Sequence, residues 1–404
     1  MTSVHDINEK DLNTIRIACA LLFSPELAKN NEFLKNIDPA SVKKAYRDKA
    51  KRYHPDLHTY ESNEMMNRRK EHFIKIQESY EFLKSIFREN TPLLFDQGTG
   101  QGNIIAIAGA KGGIGKSIFA TNMGVLLASM GKKTVLVDLD LGGANLHLYL
   151  GETRFKGTID GFLNRTYSTL QDITVKSKHG PLLIAGDSSQ LGVANISFAQ
   201  KVRLLKAIKQ IEADYVILDL GGDTTYNIID FFLAADYGIV VTTCDPASYL
   251  EAYNFLKVAL YRKLNRIFGA ESTYGGRKNP VLENLIHQFT FNIPVSRGSK
   301  IQDLLTLVKE KQPGNVSMIW GIISTYQPYL VVNRVTDQCN VQDVVERIKM
   351  VSRKVLSVNV ECAGKIPYQQ EIEISARELV PVVARYPQGI LAKETRRIVN
   401  NILS

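Results

Sequence analysis

Near residue 100 the chain changes its pattern of apolar and polar positions. Through residues 1–88 apolar side chains recur at helical spacing and no β-branched run interrupts them, which predicts a small all-α module. Residues 11–23 form a first helix. Asp38 caps a second, which Pro39 opens and residues 41–53 continue. Along it Val42, Ala45, Tyr46, Ala50 and Tyr53 share one apolar face, and the opposite face is basic. His54-Pro55-Asp56 then makes a turn in which proline stops the helix and leaves an imidazole and a carboxylate exposed. Phe73, Ile76, Tyr80 and Leu83 are spaced on a following helix to pack against the one before. Residues 89–102 hold a proline and three glycines and read as a linker.

From Asn103 onward short continuous apolar runs alternate with helical stretches. They fall at 104–108, 134–137, 181–184, 215–218, 238–242 and 329–332. Runs that are apolar at every position belong to strands covered on both faces, so the expected fold of residues 103–404 is α/β, a doubly wound and mainly parallel sheet. Ligands then belong at the carboxyl ends of the strands. An insertion at about 268–314 separates the fifth run from the sixth and carries amphipathic patches at 281–289 and 301–308. It reads either as a surface for an unknown protein partner or as decoration of the fold. The last helix, about 389–403, sets Leu391, Ile398 and Val399 beside Lys393, Arg396 and Arg397. We expect it to pack on its own domain, and stable membrane attachment is not expected.

Polar residues gather at those strand ends. After the first run stands Ala110-Lys111-Gly112-Gly113-Ile114-Gly115-Lys116-Ser117, followed by Ile118. It ends as a P-loop does: glycines let backbone N–H groups converge on a polyphosphate, Lys116 neutralises it, and the Ser117 hydroxyl reaches Mg²⁺. Lys111 lies at the outer bend, poorly placed for its own phosphates and well placed for those of a facing molecule. After the second run, the alternation in Asp138-Leu139-Asp140 turns two carboxylates to one side, one for the Mg²⁺ shell and one to orient a water for in-line attack. Asp219 ends the fourth run and is followed by Gly221 and Gly222, as a metal-site aspartate and a phosphate-sensing loop would be.

Composition narrows the setting. The 404 residues are 44% hydrophobic and 23% charged, without an apolar run near the roughly 20 residues a membrane helix needs. The N-terminus lacks a basic-then-apolar leader pattern, so export is not expected. Cys19, Cys244, Cys339 and Cys362 show no C-x-x-C spacing, which favours reduced thiols in a cytoplasmic protein over disulfides or a metal site. Peripheral or polar placement stays open. Of the formal charge of +9, residues 1–90 carry +2 (16 Lys+Arg, 14 Asp+Glu) and the remainder +7. No like-charge run of five occurs, so a nucleic-acid partner is permitted without being indicated.

Two resemblances follow from these residues. The pattern K-A-Y…Y-H-P-D followed by F-x-x-I-x-x-x-Y-x-x-L resembles the J-domain of the DnaJ co-chaperones over about residues 36–87. That implies docking of residues 41–56 on a DnaK-type chaperone ATPase through His54, Pro55 and Asp56, with Lys43, Lys44, Arg47, Lys51 and Arg52 beside them. Lys49 stands where that family usually has a core leucine, and residues 24–38 lengthen the connection. The segments K-G-G-I-G-K-S, V-D-L-D-L-G-G-A-N, D-Y-V-I-L-D-L-G-G and V-V-T-T-C-D-P look like the deviant Walker A ATPases of the MinD/ParA superfamily. Residues 203–207 and 213–221 look most like its FlhG/FleN branch, which counts and places flagella.

The second resemblance implies an ATPase using ATP and Mg²⁺, homodimeric in its ATP state. It makes Lys116 the phosphate lysine in cis and Lys111 the lysine inserted across the dimer. It makes Asp140 the water-orienting group, Ser117 a ligand of Mg²⁺, and Asp138 and Asp219 outer ligands. Asn333, Arg334 and Pro367 then neighbour the adenine, and no N-K-x-D motif for guanine occurs. The leading expectation is a slow ATP-driven switch governing the position or number of a cellular structure. Two alternatives stay open: a co-chaperone whose ATPase domain selects the client, and an ATP-dependent synthetase on the same loop. An iron–sulfur carrier of the same fold would need a C-x-x-C pair that is missing.

Overall fold

Ser24 starts the second N-terminal helix by accepting the Leu27 N–H on its hydroxyl at 3.2 Å, with Pro25 in the first turn. The computed structural model describes residues 9–30, 33–34, 39–53, 65, 72–73, 75–76, 79–80, 83, 102–186, 196–268, 279–291 and 300–403. They fall into two compact units, one within residues 1–93 and one within 94–271 and 279–404. The first holds α1 (Glu9–Leu22), α2 (Pro25–Lys29) and α3 (Pro39–Tyr53). Cys19, Leu22, Ala28, Leu34, Val42, Ile76 and Leu83 form its buried core, and the Tyr46 and Tyr80 rings stack with centroids 4.2 Å apart. The packing expected of residues 76, 80 and 83 against the helix Pro39–Tyr53 is therefore present. α2 occupies part of the long connection after α1, and Lys44, Arg47, Lys51 and Arg52 are exposed along α3. His54, Pro55, Asp56 and the linker before Gly102 lie outside the described residues.

In the second unit the apolar runs become β1 (Asn103–Ala108), β2 (Thr134–Leu139), β4 (Leu182–Ile184), β5 (Tyr215–Leu220), β6 (Tyr237–Thr242) and β7 (Tyr329–Val335). Six strands were legible, and the sheet has eight among the described residues. β3 (Thr174–Lys176) and β8 (Glu361–Pro367) complete the order β3-β4-β2-β5-β1-β6-β7-β8, parallel except for β3 against β4. Alternate residues of each strand serve opposite cores: Ala106, Val137, Leu218 and Val240 face one, Ile105, Leu136, Ile217 and Ile239 the other. That two-sided burial is why the runs are apolar throughout.

α4 (Lys116–Ser129) and the terminal helix α5 (Ile390–Leu403) cover the second face. Leu391, Ala392, Ile398, Val399 and Ile402 are buried there, so the apolar stripe of α5 is spent on its own domain. Gly364 on β8 permits the approach: a Cβ there would meet Ile398 at 2.6 Å. The insertion forms helices at Pro280–Phe291 and Ile301–Lys311, where amphipathic patches predict them, and a further helix, Val316–Ser324, follows it. Leu282, Ile286, Leu304, Val308, Ile319 and Ile323 join the larger core.

The cysteines need a correction. Cys244 and Cys339 are joined as a disulfide with Cα atoms 5.9 Å apart, while Cys19 and Cys362 are free thiols. The pair is 95 residues apart in sequence, and only the parallel pairing of β6 with β7 brings it together. No helix among the described residues is long and apolar enough to cross a membrane.

Candidate functional site

Every site residue predicted in the second unit lies at the carboxyl edge of the sheet. Gly113 and Gly115 adopt φ of +74° and +93°, the left-handed region that glycine enters without strain. Gly115 is needed twice, because a Cβ there would sit 2.4 Å from the Asn333 side-chain nitrogen. Lys111 and Gly112 form the outer bend, Ile114 is buried beneath the loop, and Lys116 opens α4. Lys116 Nζ donates to the Lys111 carbonyl at 3.1 Å. Burial lowers its pKa, against the opposing pull of Asp219, Asp140 and Asp223.

Asp138 and Asp219 lie side by side on the paired strands β2 and β5. Asp138 is 1% exposed, accepts the Leu146 N–H at 3.0 Å and the Asp140 N–H at 3.2 Å, and is pushed up to about 7 by burial. Asp219 is fully buried, and both its oxygens lack a protein hydrogen-bond partner. Burial, with the Asp138 charge next, holds its pKa well above the carboxylate range, and the nearby Lys116 charge opposes the shift. Two neighbouring buried carboxylates, one with both oxygens orphaned, make an oxygen-rich site beside a serine hydroxyl. Mg²⁺ fits such a site, being a hard cation that takes few protein ligands and keeps several waters. No cluster of three or more His, Cys, Asp or Glu able to cage a metal occurs among the described residues.

Asp140 stands between two glycine loops. A Cβ on Gly143 would meet its Oδ2 at 3.3 Å, and one on Gly221 would meet its Oδ1 at 3.1 Å. Gly222 approaches the P-loop equally closely, since its Cβ would lie 2.9 Å from the Gly112 nitrogen. The loop after β5 therefore touches the backbone beside Lys111. Lys111 itself turns outward: its ammonium pairs with Asp245 at 2.9 Å, the two side chains being 42% and 50% exposed. That hydrogen bond raises the lysine pKa and lowers the aspartate's.

A cleft of about 310 Å³ adjoins the loop and collects Gly115, Ile118, Asn333, Arg334 and Pro367. Asn333 is buried and donates its Nδ2 to the Ile114 carbonyl at 2.7 Å, so it braces the P-loop as well as lining the cleft. Arg334 holds a left-handed φ of 55° at its mouth. Tyr368 and Glu373, joined by a 2.9 Å hydrogen bond, also line it and were missed in the sequence. The sequence singles out the adjacent Pro367, but the mixed burial of β8 hides the strand that carries it.

A phosphate-cradling loop, a hard-cation site and a base-sized cleft on one edge of a parallel sheet define a P-loop nucleotide-binding domain. The model of the CobQ/CobB/MinD/ParA nucleotide binding domain matches residues 105–382, and the chain belongs to that family. The DnaJ domain model matches residues 32–88 of the helical unit. Among curated proteins, the antiactivator FleN of Pseudomonas aeruginosa is 28% identical over 46% of this chain and 62% of its own length. The flagellum site-determining protein YlxH of Helicobacter pylori is 29% identical over 44% of this chain and 60% of its own. The match thus spans less than two thirds of either relative. The septum site-determining protein MinD of Pyrococcus horikoshii, solved with Mg-ADP, shares the fold with a TM-score of 0.50 and 17% identity, covering 74% of this chain and 96% of that one.

Proposed function

We propose that this protein is an ATP-dependent switch that pairs two copies while ATP is bound, hydrolyses it slowly, and so governs the position or number of a cellular structure. Flagella fit the reading, because the matched relatives bear the names antiactivator and flagellum site-determining protein. One observation carries the pairing. Lys116 already supplies a buried cation to the loop, yet a second lysine stands on its outer bend, half-exposed and paired with an aspartate whose side chain is 50% exposed. A long cation so placed serves a phosphate outside its own chain.

In this reading Ser117 would hold Mg²⁺, with Asp138 and Asp219 as its outer ligands, and the ion would supply charge for the terminal phosphate oxygens. Lys116 gives up the Lys111 carbonyl for phosphate. Asp140 accepts a hydrogen bond from the attacking water at its carboxylate, where the two glycine loops leave it room. The backbone N–H groups of Gly112–Ser117 orient the polyphosphate, and Asn333, Arg334 and Pro367 flank the adenine. The DnaJ unit recruits a DnaK-type chaperone, and the outer faces of the insertion helices serve a protein partner.

Lys111→Ala tests the pairing. ATP binding by the single chain stays near wild type, whereas sedimentation in ATP and Mg²⁺ shows no pairing and turnover falls by on the order of 10³-fold, as for other cations supplied in trans. Equal pairing of both proteins would refute the role given to Lys111.

A further inference from the structure

The two cysteines that form the disulfide lie outside the nucleotide machinery, but each is close to a side chain that grips the P-loop. Asp245 follows Cys244 directly, and it takes both the Lys111 ammonium at 2.9 Å and the Ser248 N–H at 3.1 Å. Asn333, which holds the Ile114 carbonyl at 2.7 Å, lies on the same strand end that leads into Cys339. Both cysteines are partly exposed, in contrast to the buried Cys19. Their Cα separation of 5.9 Å lies within the roughly 4.4–6.8 Å a disulfide spans. They leave adjacent strands, paired in parallel through Thr242 and Val332.

We propose that Cys244 and Cys339 form a thiol–disulfide switch that controls ATP-dependent pairing. The inference rests on the pairing role given to Lys111 above. In the closed form the crosslink ties the β6 loop to the β7 loop in the arrangement that keeps Lys111 on its own Asp245. The open form frees the β6 loop, so that Asp245 can turn away and Lys111 can extend toward the facing chain. Closure requires a small-molecule disulfide as oxidant. One cysteine thiolate attacks a reagent sulfur and expels one reagent thiolate; the second cysteine then attacks the mixed disulfide and expels the other. Two protein thiols are oxidised to one disulfide, and the reagent disulfide is reduced to two thiols.

The test uses the full chain, reduced with dithiothreitol or treated with oxidised glutathione. Alkylation and peptide mass spectrometry read the crosslink, and sedimentation velocity reads self-association across an ATP titration in Mg²⁺. The crosslinked protein is expected to need roughly fivefold or more ATP for half-maximal pairing, the low end of a typical coupling between sites. Cys244→Ser and Cys339→Ser are expected to pair like reduced wild type under both treatments. Absence of the crosslink after oxidation, or equal pairing of crosslinked and reduced chains, overturns the switch. A reduced wild-type chain that binds a fluorescent ATP analogue yet stays single at saturating ATP overturns the pairing reading instead.

Discussion

Gly115 shows how tightly single residues set this site. Its left-handed φ of +93°, and the Asn333 side-chain nitrogen that an added Cβ would meet at 2.4 Å, leave no room for a side chain. An alanine there must either strain the backbone by about 1–2 kcal/mol or push Asn333 off the Ile114 carbonyl. We expect Gly115→Ala to weaken ATP binding about tenfold or more in a fluorescence titration, because 1.4 kcal/mol is already a factor of ten. Asp245 works in the opposite sense. Replacing its carboxylate with an amide leaves the acceptor for Ser248 and removes the charge that holds Lys111. Asp245→Asn should therefore shift half-maximal pairing to lower ATP in sedimentation, and an unchanged midpoint would show that the contact restrains nothing.

At the scale of elements, one buried ion cluster joins three helices of the larger unit. Asp230, on the helix Tyr226–Leu233, is fully buried; it is paired with Lys201 of Phe198–Lys209 and takes two 2.9 Å hydrogen bonds from Arg262 of Pro246–Phe268. Burial alone would raise its pKa, but the Arg262 hydrogen bonds and charge, with Arg266 and Lys201, outweigh that and hold it below the carboxylate range. Asp230→Asn leaves buried cations short of their counter-ion and should cost about 3–5 kcal/mol at neutral pH. A depressed native pKa stabilises above the unfolded value near 3.9 and is lost as pH falls through the native one. Urea denaturation should thus show the two proteins converging in acid.

Strands apolar on both faces were legible, because Ile104–Ala108 or Tyr215–Leu218 admit no other burial. The edge strands were not: Thr174–Lys176 is three residues long, and Glu361–Pro367 buries only Ala363 and Ile366 among charged and half-exposed neighbours. Within the site, local motifs revealed the loop and its aspartates. Tyr368 and the Cys244–Cys339 pair depend on which strands lie side by side, which no local pattern encodes.

For the whole molecule the question is whether one chain carries two independent activities or one coupled activity. The larger unit has a nucleotide site in which Lys111 is held in cis, so its ATP state is read as an assembly state in the reading proposed here. The DnaJ domain at residues 32–88 presents a basic α3 face, with Lys44, Arg47, Lys51 and Arg52 exposed, leading in sequence into His54-Pro55-Asp56. Cations beside that tripeptide suit an acidic docking surface on a chaperone ATPase. We therefore expect the full chain to accelerate ATP turnover by a DnaK-type chaperone in a coupled phosphate-release assay, with the acceleration lost in His54→Gln. Pairing of His54→Gln in ATP, read by sedimentation, separates the cases. Unchanged pairing means the chaperone contact acts downstream of the switch, and weakened pairing means the helical unit takes part in assembly. No acceleration by the wild-type chain would confine the helical unit to docking a partner other than a chaperone.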